Sequence, residues 1–330
     1  MGIRKTESRL PTGLQASDLG EAAESADGKL SLISFFSSPL SPELQNTYVL
    51  IVKDAALGAT IKSFKWDITE DGAMPFSQTT DTGEISYRTR NIGNISIAVK
   101  LLDNTNAVVG QIALIQEIGE LNPTTETEIK DATEKEGAGA GDPDAVRELI
   151  NGFRPYYKDL QLQTPEPDDA FTRFIGGIIF RGGAKNSYEK KQEIFNRLSE
   201  SLDDNIDAFP LNAAQGVGAC DIRLALLAMH YPLSSPHLSW TELPEAADEN
   251  AFADDQLRQK LNDLTDEAKI DLLNMARFPK TNILFCAKII ENLRNKYFGA
   301  TSFNDVLTGM NGTRGHWIMK HYLKGPIAKS

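Results

Sequence analysis

Cysteine and histidine are scarce: the 330 residues hold two of the first, Cys220 and Cys286, and four of the second. A scaffold stapled by disulfides is thereby excluded, and each cysteine reads as a small buried hydrophobe in a reducing compartment, a bridge between them being the minority alternative. His316 and His321 stand five apart, on different sides of a helix, and the His-Glu-x2-His pattern is absent, so no metal site is expected. The Gly-x4-Gly-Lys-Ser/Thr phosphate loop is missing too. Gly216-x-Gly218 lacks the third glycine and the preceding Val/Ile-rich strand of a dinucleotide fold, so no cofactor is expected. Basic charge is in deficit, 34 Lys and Arg against 46 Asp and Glu for a net charge of −12, which opposes a nucleic-acid binder that must displace counterions from phosphates. No apolar run approaches the roughly 18–20 residues of a membrane span, so stable membrane insertion is not expected. The start of the chain has no apolar signal region, which points to a protein cytoplasmic as synthesised. Residues 1–28, rich in Ser, Gly, Glu and Ala, read as a disordered leader.

What is present begins at Lys29. From there to residue 118 short β-rich runs alternate with turn residues, the pattern of an all-β domain. Expected strands are Leu30–Phe36, Thr47–Lys53, Thr60–Ile68, Glu84–Thr89, Asn94–Leu102 and Val108–Glu117. Ile95, Ile97, Val99 and Leu101 alternate with Ser96, Ala98 and Lys100, which puts one face in a core and the other in solvent. Phe64, Trp66 and Ile68 alternate in the same way with Ser63, Lys65 and Asp67. Six or seven such strands make one immunoglobulin-like antiparallel β-sandwich over residues 29–118, with Trp66 filling the space between its sheets.

The run Phe64-Lys65-Trp66-Asp67-Ile68-Thr69-Glu70-Asp71-Gly72, followed by Tyr87-x5-Gly93-x-Ile95-x-Ile97-x-Val99-x-Leu101-x-Asp103, resembles the PKD-type Ig-like domain. That family carries a Trp-Asp-Phe-Gly-Asp-Gly strand and turn, then a Tyr, a Gly and alternating apolar residues ending in Asp. Thr69 and Glu70 here replace its tight glycine turn, and Ile95 stands where an aromatic is usual. The resemblance implies a binding or spacer module of the kind that mostly works outside the cytoplasm.

Residues 119–141 turn to Glu, Thr, Lys, Gly and Ala and read as a flexible acidic linker. Asp142-Pro143-Asp144 then opens a second domain, residues 142–330, as an N-cap followed by proline in the first turn. This half reads as all α-helical, with helices expected at about 168–180, 187–202, 218–231, 247–264, 266–278, 282–298, 303–307 and 315–323. Thr265 stands before an acidic first turn.

Few residues there could carry chemistry. Cys220 follows Gly216-Val217-Gly218-Ala219 at an expected helix N-terminus, where the dipole would favour its thiolate, but His230 lies about 15 Å further along that helix. Glu242 and Glu245, close after Trp240, are the carboxylates a glycosidic or muralytic hydrolase would need, though acids at helix starts serve more often as caps. The C-terminal segment reverses the polarity of the chain. From Met310 onward it has no acid, while Arg314, His316, Trp317, Lys320, Tyr322 and Lys324 interleave cations with aromatics, the residue types that anchor protein contacts. The whole therefore reads as a non-catalytic recognition or delivery protein whose partner is a protein or a large protein assembly. A cargo or accessory protein of a bacterial contractile injection system, released by signal-independent export, would reconcile an Ig-like module with cytoplasmic synthesis. The alternatives are a thiol-dependent or muralytic hydrolase in the helical half, and an intracellular scaffold.

Overall fold

Alternation of apolar and polar residues, broken by glycine, proline and Asx turns, produces two four-stranded antiparallel sheets from residues 21–118. Sheet A has the order β1 (Glu21–Glu24), β2 (Leu30–Ser34), β3 (Gln45–Val52), β6 (Glu84–Arg88); sheet B has the order β5 (Phe76–Thr80), β4 (Ser63–Glu70), β7 (Gly93–Leu102), β8 (Val108–Ile118). The chain changes sheet three times, between β3 and β4, between β5 and β6, and between β6 and β7. The result is an antiparallel β-sandwich, compatible with an immunoglobulin-like fold. The computed structural model describes residues 9–121, 152, 156, 214–215, 220–221, 263 and 265–284. Two compact units divide the chain, Met1–Phe153 with Phe278–Lys280 as the first and Arg154–Arg277 with Thr281–Ser330 as the second.

The two sheets bury their residues differently. In sheet B the inward positions Trp66 and Ile68 of β4, Ile95, Ile97, Val99 and Leu101 of β7, and Ile112 and Leu114 of β8 are buried, while their neighbours are partly or fully exposed. Trp66 is fully buried at the centre, as its alternation predicts, and its indole N–H donates to Thr80 Oγ1 at 2.9 Å. In sheet A every residue of β2 is buried, as are six of the eight in β3. Leu30, Leu32, Tyr48 and Leu50 occupy the face toward sheet B. Ile33, Val49 and Ile51 point the other way, into a second apolar cluster completed by Ala16, Leu19 and Phe278. A strand covered on both faces has no alternation to read.

The first two residues of that covering layer come from α1 (Ala16–Leu19), a helical turn closed by a hydrogen bond from Gln15 N–H to Asp18 Oδ2 at 2.8 Å. Gly20 then lets the chain pass close under β2: a Cβ there would sit 2.1 Å from the Ser34 carbonyl oxygen. The leader expected to be disordered over residues 1–28 is thus ordered from Ala16, because its few apolar side chains bury against sheet A, and Glu21–Glu24 pairs with β2 in register Glu21↔Ser34 to Glu24↔Ser31. The polar edge strand β5 has no apolar alternation and was not expected from the sequence.

Two strand ends shift for local reasons. The strand expected from Thr60 begins at Ser63, since α2 (Ala55–Gly58), capped by Asp54 on the Leu57 N–H at 2.9 Å, captures the Thr60 and Ile61 N–H groups on its carbonyls. That expected to reach Phe36 stops at Ser34, whose hydroxyl donates to the Phe36 carbonyl at 2.7 Å and turns the chain. Gly93, at the head of β7, adopts φ +137°, and a Cβ there would lie 2.7 Å from the Asp71 Cβ. Gly93→Ala is expected to destabilise the sandwich by about 1–3 kcal/mol, read as a lower urea midpoint with an unchanged slope.

In the second unit, α3 (Asp266–Arg277) matches the helix predicted at 266–278. Thr265 caps it, accepting from the Ala268 N–H at 3.2 Å. Pro279 disfavours helical backbone at residue 278, and the last carbonyls are satisfied by side chains: Thr281 Oγ1 donates to the Met275 carbonyl at 2.6 Å and Asn282 Nδ2 to that of Ala276 at 2.9 Å. Residues 279–284 are again helical, the first part of the helix expected from 282. Of the helix expected at 218–231 the structure describes Cys220–Asp221, which are strand; the rest of the helices expected after residue 142, and the linker from residue 122, lie outside the described residues.

Candidate functional site

Three loops gather at one end of the sandwich: residues 35–44 between β2 and β3, 71–75 between β4 and β5, and 89–92 between β6 and β7. Polar side chains bind them to one another. Thr89 Oγ1 donates to the Ser41 carbonyl at 2.6 Å and accepts from the Leu44 N–H at 3.0 Å, while the Glu43 N–H donates to the Thr89 carbonyl at 3.0 Å. Glu70, at the end of β4 and only 5% exposed, accepts from the Arg90 N–H at 2.7 Å, from the Asn91 N–H, and from the Tyr87 hydroxyl at 3.0 Å. Asp71 Oδ2 accepts from the Asn94 N–H at 2.8 Å. The loops are held in fixed relation, and they display two large apolar side chains to solvent, Met74 at 83% and Ile92 at 54% exposure.

A second polar group lies deeper, where loop 35–44 leaves the sandwich. Asn46 Nδ2 donates to Ser34 Oγ at 2.8 Å, Gln116 Nε2 donates to the Phe36 carbonyl at 2.9 Å, and the Thr47 N–H donates to Asn46 Oδ1 at 2.8 Å. Ser34, Asn46 and Gln116 are all buried. The loop is further tied by Ser38, whose hydroxyl donates to Glu21 Oε1 at 3.1 Å, and by Leu40, whose N–H donates to the Glu117 carbonyl at 2.7 Å. These side chains support the backbone of the loop.

Two tyrosines between the sheets are shifted in the same direction. Burial pushes the Tyr87 hydroxyl above the ordinary tyrosine range, and donation to the Glu70 carboxylate pushes it further. Burial drives the Tyr48 hydroxyl up as well, with the carboxylates of Glu21 and Glu70 adding to the rise and Asn46 opposing it. Both are held protonated in the folded chain more firmly than in the unfolded one, whose tyrosines titrate near about 10. Their contribution to stability is complete below that pH and is lost as the pH rises toward the folded values. The urea midpoint is therefore expected to fall as the pH rises above about 10, and Tyr87→Phe is expected to make that fall shallower.

Of the residues singled out in the sequence for chemistry, Cys220 alone is among the described residues. Cys220 stands in a two-residue strand, β10 (Cys220–Asp221), paired antiparallel with β9 (Ala214–Gln215) in register Cys220↔Gln215. Its backbone is extended at the position where a helix N-terminus was expected. Glu242, Glu245, Arg314, His316, Trp317, Lys320, Tyr322, Lys324 and Cys286 lie outside the described residues. Among the described residues no group of three His, Cys, Asp or Glu side chains could hold a metal ion, and no helix is long and apolar enough to cross a membrane. Glu70 is the residue the sequence reading missed. Its signal was there: in the series Phe64, Trp66, Ile68, Glu70 it is an acid in an inward position.

No family model matches the chain, and no curated protein does. Among solved structures, the extracellular domain of a B. thetaiotaomicron protein described as a hybrid two component system aligns at 14% identity over 26% of this chain and 11% of that one, with a TM-score of 0.18. Superposition that weak carries no argument about fold or activity, and the chain spans about a tenth of the length of the protein it matches.

Proposed function

We propose that the chain is a non-catalytic recognition or delivery protein, its N-terminal sandwich an Ig-like module of the PKD type that engages a protein partner or a large protein assembly. The supporting observation is the stitched loop end, where Thr89, Glu70 and Asp71 spend their polar groups on fixing three loops around exposed Met74 and Ile92. Such an arrangement suits the recognition of a surface. In its delivery form the reading makes the protein a cargo or accessory component of a bacterial contractile injection particle. The sandwich is then the packaging or adhesion element, the part after residue 142 an α-helical docking or payload domain, and the segment from Arg314 to Lys324 a docking surface.

Velocity sedimentation of the tagged full chain from producing cells tests this. The chain is expected to travel with a large particle and to leave it when Met74 and Ile92 are both replaced by Asp. A chain that sediments free and cleaves peptidoglycan, with the activity lost in Cys220→Ala or Glu242→Gln, would overturn the reading in favour of a hydrolase.

A further inference from the structure

We infer that the outer face of sheet A is a docking groove for a short peptide segment bearing an aromatic residue and, two positions on, a lysine, and that Phe278-Pro279-Lys280 fills it in cis. Phe278 is fully buried among Ala16, Leu19, Ile33, Val49 and Ile51, and Phe35 meets its ring edge-on, the centroids 5.4 Å apart and the planes inclined at 65°. Aromatic pairs favour that geometry. Lys280 Nζ donates to the Ser17 carbonyl at 2.7 Å, satisfying an acceptor that a four-residue helix leaves without an intrahelical partner.

The way this side chain arrives is informative. Core residues normally belong to a strand or helix that packs along its length, and Ile33, Val49 and Ile51 do. Phe278 comes from a point 160 positions beyond the end of β8 at Ile118, and of its neighbourhood in sequence only Phe278–Lys280 belong to the sandwich unit, the residues on either side being assigned to the other. One deeply seated aromatic anchor, a proline that limits the entropy lost on ordering, and a cation reading a backbone carbonyl are the parts of a peptide ligand. The groove is separate from the loop end described above and stands whether or not that end binds a partner.

The test uses the full chain carrying Phe278→Ala, which removes the aromatic anchor of the cis segment, and a fluorescent peptide of residues 275–283. Fluorescence anisotropy is expected to show saturable binding to this variant and binding at least about tenfold weaker to the parent chain, whose groove is filled. Replacing the phenylalanine of the peptide by alanine is expected to weaken binding by about 10- to 100-fold, the value of burying one such ring. A folded Phe278→Ala chain that binds the peptide no better than the parent would show Phe278 to be an ordinary core residue and would overturn the inference. Should that variant fail to fold, Phe278→Leu keeps most of the volume and loosens the cis segment: tighter peptide binding than by the parent supports the groove, and equal binding overturns it.

Discussion

Trp66→Ala is expected to lower the unfolding free energy of the sandwich by about 3–5 kcal/mol. Its side chain is the largest of those fully buried, and it stands on β4, an inner strand of sheet B. Removing it opens a cavity and also strands Thr80, whose hydroxyl accepts from the indole N–H and donates to the Thr82 carbonyl at 2.6 Å, fixing the turn from β5 to β6. Against a total stability of about 5–15 kcal/mol for a domain of this kind, the loss would leave a marginal fold. Trp66→Phe restores most of the volume without the N–H and is expected to recover more than half of the deficit. Urea titration followed by far-ultraviolet circular dichroism checks both; equal midpoints for the Ala variant and the parent would mean that the sheets do not share this core.

Glu70→Leu is the second large effect, expected at about 3 kcal/mol despite leaving the hydrophobic packing almost unchanged. The loss comes from donors. Two backbone N–H groups, of Arg90 and Asn91, and the Tyr87 hydroxyl all end on this carboxylate, and each donor left without a partner in a buried setting costs about 1–3 kcal/mol. Glu70→Gln keeps an acceptor oxygen and is expected to lose roughly half as much, since hydrogen bonds to a charged acceptor are about twice as strong as neutral ones. A double variant with Tyr87→Phe should be less unstable than the sum of the two, because each change already removes the bond the other would break. Strict additivity would show that the tyrosine and the carboxylate are not coupled. The same variant should also loosen the loop end, so particle association in the sedimentation assay is expected to weaken in parallel with stability.

The sheet with one wet face was legible and the sheet with none was only partly so. Ile95, Ile97, Val99 and Leu101 announce β7 by a period of two, and the inward placement of Trp66 follows from the same rule. Leu30–Ser34 and the apolar run through Tyr48–Ile51 were recognised as strands by composition, but nothing local told which of their faces met the other sheet. Both faces are covered, one by sheet B and the other by α1 and Phe278. The covering residues carry no periodic signal: Ala16 and Leu19 sit in a Ser- and Gly-rich stretch, and Phe278 lies far along the chain beside a proline. Long-range burial of this kind is decided by the tertiary fold and not by any window of sequence. The same holds at Cys220, where a glycine-rich approach suggested a helix start and a two-residue ladder with Ala214–Gln215 prevails.

Because the outer layer of sheet A is finished by Phe278, the order of synthesis matters. The last strand, β8, is complete at Ile118, while the side chain that seals Ile33, Val49 and Ile51 is added 160 residues later. At roughly 5–20 residues per second the ribosome needs about 8–30 s to cover that distance. For that interval the nascent sandwich carries an apolar face that α1 covers only in part, long enough for holding chaperones to engage it and for neighbouring chains on one polysome to meet through it.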